Sequence, residues 1–346
     1  MEMGQQSMKF LILLAGCLFL SPVLADENKT LGAYLGAKES IHPDWFKESF
    51  LDLEEDIAEA AELGKRLVLY FWQPGCPYCA ELTQNNFGQR DISQMMQERF
   101  DLVALNMWGD REVVQIGGKL FTEKTLAEAL RVSYTPTMIF FTEDRKVSLR
   151  LDGYVSPERY RLAMQYVTDQ EESRISFRDY VAQNNPVSAS GSIYKEPFSL
   201  KPPYDLSKLA GPIAIYFEQK QCSQCDNFHQ RILTDPPTRD LAKGFHTVQL
   251  DMWSDQEIVT PAGKSTTARV WAEKLGISYA PSIVLFDRNG EEAMRVDAFL
   301  KTFHVQSVFD YVLTESHKQE PNFQRWISAR AEHLREQGID VDIWGY

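Results

Sequence analysis

Two pairs of cysteines with the same spacing are the residues of this sequence best suited to chemistry. Cys76 and Cys79 lie in FWQPGCPYCAE, and Cys222 and Cys225 lie in FEQKQCSQCDN. Such pairs bind metal ions, form structural disulfides or exchange electrons. Because closing so short a loop restricts the unfolded chain very little, a structural disulfide is a poor explanation. We therefore interpret both pairs as redox centres.

The two cysteines of each pair are expected to have different roles. Each pair follows an apolar strand and begins a predicted helix, where unpaired backbone N–H groups and the helix dipole stabilise a thiolate. Cys76 and Cys222, at the exposed helix start, are predicted to attack disulfides. Cys79 and Cys225, about one turn further along, are predicted to resolve the mixed disulfide.

The segments around the two pairs belong to one domain that occurs twice. With an offset of 145 positions, NMWGDREVV at residues 106–114 resembles DMWSDQEIV at residues 251–259, and SYTPT at residues 133–137 resembles SYAPS at residues 278–282. Self-similarity over this length indicates two copies of a whole domain. Each cysteine pair therefore has its own strand, helix and proline.

Apolar periodicity in the first copy predicts an α/β domain. A helix is expected over residues 44–64, where Phe46, Phe50 and Leu53 share one face. The other predicted elements are a strand over 65–72, a helix from near Cys76, a strand over 100–107, a helix over 125–132, a hairpin over 137–151 and a last helix near 157–168. This order predicts a central mixed sheet flanked by helices.

The repeat and the composition of its boundaries divide the chain into four parts. The predicted parts are a signal peptide over 1–25, a first domain over 26–182, a Pro-, Ser- and Asn-rich linker over 183–205, and a second domain over 206–346 that ends in a closing helix.

The N-terminus has the pattern of a secretory signal. Lys9 precedes the apolar run FLILLAGCLFL, and SPVLA ends in small residues before Asp26. The apolar run is shorter than the roughly 18 residues of a membrane-spanning helix. LAGC also resembles a bacterial lipobox, so a lipoprotein anchored at Cys17 is the alternative to a cleaved, exported form. Cleavage leaves cysteines only in the two redox pairs.

A proline downstream of each pair extends the pattern. Pro136 and Pro281 follow the first cysteines by 60 and 59 positions and precede apolar strands. This combination resembles the thioredoxin superfamily and implies two tandem thioredoxin folds. The resemblance also implies that each proline is cis and faces its cysteine pair. Thr135 with Pro136, and Ala280 with Pro281, would then bind the substrate backbone as an added strand.

A narrower resemblance is to the SoxW-like periplasmic thioredoxins, through QPGCPYC, YTPTMIFF and the tail REQGIDVDIW. It implies a periplasmic thiol–disulfide oxidoreductase without cofactor or metal. The implied partners are disulfide-containing proteins and a membrane thiol transporter of the DsbD/CcdA type as electron donor. The implied activity is that of a reductant or isomerase.

The sequence departs from the superfamily at the buried Asp six positions before the first cysteine. Tyr70 and Tyr216 hold these positions, so the resemblance does not extend to the proton path of a cytosolic thioredoxin, and Glu218 is the candidate substitute in the second copy. The two pairs also enclose different residues, Pro-Tyr in the first and Ser-Gln in the second. We expect the Pro-Tyr site to contact clients and the Ser-Gln site to exchange electrons with it or with the membrane donor.

Two other functions stay open on the residues alone. The four thiolates could bind a metal ion, copper rather than zinc, with His229 as an additional ligand. Alternatively, one copy could be an inactive scaffold that only binds substrate. A nucleic-acid partner is not expected, because the formal net charge is −13 and no cluster of Lys and Arg offsets it.

Overall fold

The computed structural model describes residue 1, residues 30–184 and residues 191–346. The predicted signal peptide after residue 1, including Cys17, lies outside the described residues, and so do residues 185–190 of the predicted linker. Within the described ranges, no helix has both the length and the apolar character needed to cross a bilayer. The described ranges form a first unit (residues 30–184) and a second unit (residues 191–346).

The first unit alternates strands and helices. Its elements are β1 Tyr34–Leu35, α1 Leu53–Glu62, β2 Arg66–Trp72, α2 Pro77–Glu81 with a π-helical continuation Leu82–Asn86, α3 Arg90–Arg99, β3 Phe100–Asn106, β4 Glu112–Gln115, β5 Lys119–Thr122, α4 Glu123–Ala129, β6 Thr137–Phe141, β7 Val147–Asp152, α5 Pro157–Thr168 and α6 Phe177–Asn184.

The second unit repeats this order from its central strand onward, without a counterpart of α1 in the described ranges. Its elements are β8 Tyr204–Asp205, β9 Ile213–Glu218, α7 Ser223–Asn227 with a π-helical continuation Phe228–Ile232, α8 Pro236–Ala242, β10 His246–Asp251, β11 Glu257–Val259, β12 Ser265–Thr267, α9 Ala268–Lys274, β13 Ser282–Phe286, β14 Glu292–Val296, α10 Thr302–Leu313, α11 Phe323–Glu336 and β15 Val341–Asp342.

Both units have the same four-stranded mixed sheet. The strand order is β3-β2-β6-β7 in the first unit and β10-β9-β13-β14 in the second. The first two strands of each sheet are parallel and the remaining pairings are antiparallel. The central strands β2 and β9 are buried almost throughout, as their apolar runs require. The predicted mixed sheet flanked by helices is therefore confirmed in both copies.

The first helix begins later than the sequence pattern predicts. The predicted helix over residues 44–64 is wrong in its first half, because α1 starts only at Leu53 and Phe50 is fully exposed. Leu51 has a φ of 66°, in the left-handed region that a helix cannot contain. Asp52 then caps α1 by accepting hydrogen bonds from its first free backbone N–H groups.

The two units share one hydrophobic core. A single cluster of buried side chains includes Tyr78 and Val155 of the first unit and Leu300 and Phe303 of the second. The outer face of each sheet has a separate core of its own. The chain ends also join the units, because β1 pairs in parallel with β15.

Residues 183–184 of the predicted linker end helix α6 of the first unit, whereas residues 194–205 are attached to the second unit. The backbone N–H of Leu200 donates to the carbonyl of Thr247 at 2.8 Å, and β8 pairs with β11. The side chain of Tyr194 stacks on His229 with ring centroids 4.5 Å apart. Residues 194–205 are therefore a packed part of the second unit.

Candidate active sites

Each cysteine pair lies where a buried central strand leads into a short helix. Cys76 and Cys79 form a disulfide with Cα atoms 5.3 Å apart, and Cys222 and Cys225 form one with Cα atoms 5.1 Å apart. Cys76 and Cys222 cap their helices, and each Sγ accepts the backbone N–H of the second cysteine, at 3.1 and 3.0 Å. The same donors would stabilise a thiolate on the first cysteine after reduction.

The predicted prolines lie opposite the disulfides. The Thr135–Pro136 and Ala280–Pro281 bonds are both cis, as the resemblance implies. The Sγ of Cys76 lies 3.5 Å from the carbonyl oxygen of Thr135, and the Sγ of Cys222 lies 3.4 Å from that of Ala280. We call the first cysteine pair with its proline loop site one, and the second pair with its loop site two.

Site one has a hydrogen-bond chain that reaches the sulfur. The Thr135 hydroxyl donates to the Sγ of Cys76 at 3.3 Å and accepts the side-chain N–H of Gln73 at 3.0 Å. The indole N–H of Trp108 donates to Gln73 at 2.8 Å. In site two the equivalent indole of Trp253 donates to Gln219 at 3.0 Å, but Ala280 provides no hydroxyl. The two sites therefore differ at the reacting sulfur.

A Met-Trp pair follows β3 and β10, and its two side chains lie in different surroundings. Met107 and Met252 are buried in the outer cores, as an apolar residue at a strand end commonly is. Trp108 and Trp253 instead extend toward the sites, and Trp253 lines a cavity beside Cys222.

Site one is closed by the second unit. The Tyr78 hydroxyl accepts the backbone N–H of Lys301 at 2.9 Å and lies 3.3 Å from Nδ1 of His304. Its ring meets Trp344 edge-on with centroids 5.0 Å apart. Burial raises the pKa of Tyr78. The side chain between the two cysteines is thus fixed inside the molecule instead of facing solvent.

The last helix of each unit covers the site of the other unit. In α11, Gln324 donates to the carbonyl of Ser133 at 2.8 Å and accepts from Gln73 at 2.9 Å. In α6, Arg178 donates to the carbonyl of Met252 at 2.6 Å. Arg178 and Gln324 are counterparts in the repeat, 146 positions apart. The repeat identifies these positions, but only the structure shows that each crosses to the other unit.

The first cysteine of each pair is consequently shielded. Cys76 is 4% exposed and Cys222 is 6% exposed. A cavity of about 130 Å³ adjoins Cys76, whereas one of about 880 Å³ adjoins Cys222. A substrate of appreciable size can therefore reach site two with less rearrangement than site one.

The residues at the usual buried-acid positions cannot act as carboxylates. Tyr70 and Tyr216 are completely buried, and burial raises the pKa of both hydroxyls. Neither is suited to proton transfer near neutral pH.

Glu218 is buried in a network of its own. Its Oε1 lies 3.1 Å from Nε2 of His229 and accepts from Gln249 at 3.0 Å. Nδ1 of His229 lies 2.8 Å from Glu196. His229 is therefore a buried residue, and the hydrogen bonds of Glu218 run to this network.

Metal binding would require several His, Cys, Asp or Glu side chains to lie close together. Within residues 30–184 and 191–346, no group of three or more His, Cys, Asp or Glu side chains is placed to hold a metal ion. The two thiol pairs lie in separate sites, and both nitrogens of His229 already face carboxylates. The four cysteines form two separate disulfides.

Known proteins resemble each half of the chain. A family model described as a thioredoxin-like domain matches residues 53–168 and again residues 206–313. No curated protein matches the chain. A thioredoxin-fold protein from Helicobacter pylori is 17% identical, with a TM-score of 0.32 over 39% of this chain and 95% of that chain. A thioredoxin from Thermus thermophilus is 22% identical, with a TM-score of 0.27 over 34% of this chain and 83% of that chain. The periplasmic thioredoxin SoxS from Paracoccus pantotrophus is 22% identical, with a TM-score of 0.22 over 31% and 98%.

Proposed function

Because the chain belongs to the thioredoxin-like domain family, whose domain it contains twice, we propose that it is a thiol–disulfide oxidoreductase with two active centres. The observation that carries this proposal is the position of each disulfide, between the start of a short helix and a cis-proline loop less than 4 Å away. That position combines a stabilised thiolate with a backbone edge for substrate.

In the proposed reaction the first cysteine of each pair is the nucleophile. The thiolate of Cys76 or Cys222 attacks a substrate disulfide, and a mixed disulfide forms as one substrate sulfur leaves. Cys79 or Cys225 then attacks the Sγ of the first cysteine and releases the second substrate sulfur.

The proline loops are proposed to hold the substrate during this exchange. Thr135 with Pro136, and Ala280 with Pro281, offer backbone groups beside the reacting sulfur. A segment of substrate could pair with these groups as an added strand. The pairing would orient the substrate disulfide toward Cys76 or Cys222.

The proposed setting is the bacterial periplasm. The N-terminal signal pattern and the resemblance to SoxW-like proteins support this location, with a lipoprotein anchored at Cys17 as the variant form. There the protein would reduce or isomerise disulfide-containing proteins. A membrane thiol transporter of the DsbD/CcdA type would return it to the dithiol state.

The burial of Tyr78 changes which of the two sites we propose to contact the substrate. The Pro-Tyr pair was expected to contact clients, but its tyrosine is enclosed by the second unit. Site two has the larger cavity beside its nucleophile. We therefore assign the substrate-facing role to site two and the electron-relay role to site one.

Reduction potentials test the proposal directly. Full-length variants that keep one pair, with Cys76→Ser/Cys79→Ser or Cys222→Ser/Cys225→Ser, are equilibrated with glutathione buffers and read by alkylation and mass. A potential of about −270 mV indicates a reductant, and one about 100 mV higher indicates an isomerase or oxidase. If neither pair cycles between dithiol and disulfide, the proposed function is wrong.

A further inference from the structure

The cavity beside Cys222 has walls from both units. Its volume is about 880 Å³, and its lining includes Cys222, Ala280 and Trp253 of the second unit and Arg159 and Arg178 of the first. This volume falls within the range of about 300–1,000 Å³ that is usual for small-molecule sites. Because the other unit forms part of the wall, the cavity can also enclose a small ligand.

Arg178 brings a buried guanidinium group to this cavity. Its side chain is 6% exposed, and its guanidinium lies 4.1 Å from the ring centroid of Trp253. Two of its nitrogens donate to the carbonyls of Met252 and Arg269, at 2.6 and 3.5 Å. Its buried Nε has no hydrogen-bond partner among the described residues. Backbone carbonyls thus hold the group in place without neutralising its charge.

Arg159 brings a second guanidinium from the adjacent helix α5. It donates to the carbonyl of Ser278, in the loop that leads to Pro281, and its Nε is also buried without a partner in the described ranges. The nearby carboxylate of Asp297 accepts the backbone N–H of Tyr279 and the hydroxyl of Ser282 instead. In the part of the chain that the structure describes, neither Arg159 nor Arg178 has a carboxylate within 4.0 Å.

The other charged residues of the lining leave a cationic excess. Lys220 adds a third cation, and Glu158 and Asp251 add two carboxylates. Glu158 is exposed, and Asp251 accepts the backbone N–H of Trp253 at 3.0 Å. The lining therefore carries two guanidinium groups that form no ion pair with a carboxylate in the described ranges.

Site one is a neutral counterpart within the same chain. Its cavity of about 130 Å³ is lined by no Asp, Glu, Lys or Arg. Gln324 stands where site two has Arg178, and His304 stands where site two has Arg159. Burial lowers the pKa of His304 to about 4, so this ring is neutral at pH 7. The excess of positive charge is therefore specific to site two.

We propose that site two takes a low-mass disulfide that carries carboxylates, with Arg178 and Arg159 as its anion-binding residues. This inference rests on the proposed exchange activity and adds its substrate class. A carboxylate would occupy the unused guanidinium donors, which bind such groups in a planar, charge-assisted geometry. The ligand disulfide would then lie beside Cys222, in the only part of this cavity wall that can exchange sulfur.

The exchange balances without any further reactant. The Cys222 thiolate attacks one sulfur of the ligand RSSR, a Cys222–SR bond forms, and the ligand S–S bond breaks to release RS⁻, which takes up a proton. The Cys225 thiolate then attacks the Sγ of Cys222 and releases the second RS⁻. Two electrons pass from the dithiol to the ligand, and the products are two thiols and the Cys222–Cys225 disulfide.

Disulfides of different charge test the inference on the full-length Cys76→Ser/Cys79→Ser protein. The probes are oxidised glutathione as the anion, 2-hydroxyethyl disulfide as the neutral compound and cystamine as the cation. The reduced protein is mixed with each probe, and oxidation of Cys222 and Cys225 is followed by alkylation and mass. We expect a higher second-order rate constant with oxidised glutathione than with either other probe, and a fall in that preference as salt is added.

Arg178→Gln introduces the residue type that site one has at the equivalent position, Gln324. We expect it to lower the ratio of the glutathione rate to the neutral-probe rate about tenfold, because one charge-assisted hydrogen bond is lost. Arg159→Gln, on a different helix, gives a second measurement of this ratio if the Arg178→Gln protein folds poorly. Arg99→Gln, which removes the same charge from α3, is the control and should keep the wild-type ratio.

The outcomes separate this inference from the proposed function. An unchanged ratio in both Arg178→Gln and Arg159→Gln, or a rate with cystamine equal to that with glutathione, would overturn the anion site alone. Failure of all three probes to oxidise the pair would overturn the exchange activity of site two and the anion site with it.

Discussion

Thr135 gives the sulfur of Cys76 a hydroxyl hydrogen bond that the sulfur of Cys222 lacks, because Ala280 holds the equivalent position. The cysteine pairs were predictable from their spacing between a strand and a helix, and the cis-prolines from the resemblance to the thioredoxin superfamily. The hydroxyl contact was not, because it depends on a rotamer and on Gln73, which lies on another loop.

Removal of this hydroxyl should make Cys76 less reactive. In a reduced Cys79→Ser protein, Thr135→Val is expected to slow alkylation of Cys76 at neutral pH roughly five- to tenfold, because a hydrogen bond to the thiolate is lost. Iodoacetamide labelling followed by mass measures the rate. Ala280→Thr in a Cys225→Ser protein is the matched variant and should speed alkylation of Cys222. Equal rates before and after both changes would show that the hydroxyl does not act on the sulfur.

At the scale of elements, the segment before β8 is fixed by charge as well as by packing. His229, in the π-helical turn after α7, lies between Glu218 at the end of β9 and Glu196 of the segment. Composition alone predicted a linker here, because Pro, Ser and Asn favour irregular structure. It could not predict that Glu196 and Tyr194 meet a histidine that is distant in sequence.

His229 should make stability depend on pH. Burial opposes its charged form, but the hydrogen bonds and charges of Glu218 and Glu196 outweigh burial, and the pKa of His229 is raised. A raised pKa contributes stability that is complete below the unfolded value of about 6.5 and is lost as pH rises through the folded value. His229→Gln is therefore expected to lower the free energy of unfolding by about 2–4 kcal/mol near pH 6, and by less at pH 9.

Urea unfolding at a series of pH values measures this difference. Ile232→Val, in the same turn, is the control, because it removes one buried methylene at a cost of about 0.5–1.5 kcal/mol and adds no titrating group. Its deficit should be the same at every pH. A deficit for His229→Gln that stays constant or grows with pH would contradict a charged histidine in this network.

At the scale of the whole molecule, equivalent residues of the two units meet each other at the contact between the units. Gly153 and Ala298 are counterparts 145 positions apart and meet at the interface, and so do Tyr154 and Phe299, with ring centroids 6.5 Å apart. Such contacts between equivalent residues are typical of an isologous interface.

The sequence repeat predicted two units but not this packing. A side chain between the two cysteines, such as Tyr78, could contact either a client protein or the other unit. The sequence is the same in both cases and does not distinguish them. The structure places this side chain against the other unit, so the closed arrangement of the two units limits access to both nucleophiles.

Disturbing the contact between the units should therefore expose both cysteines. Gly153 has a φ of 78°, and a Cβ there would lie 2.4 Å from the Cβ of Ala298. Gly118 has a φ of 79°, with open space where its Cβ would be. Gly153→Ala and Gly118→Ala thus share the backbone cost of about 1–2 kcal/mol, and only the first pushes the units apart.

In a reduced Cys79→Ser/Cys225→Ser protein, Gly153→Ala is expected to speed alkylation of Cys76 and Cys222 about fivefold or more relative to Gly118→Ala, since overpacking costs the closed arrangement about 1 kcal/mol or more. Mass after timed quenching measures both rates in one sample. Equal rates in the two variants would mean that the sulfurs react without separation of the units. A rise at both cysteines would instead show that one interface controls both centres, because a clash at this contact loosens the cover of each site at once.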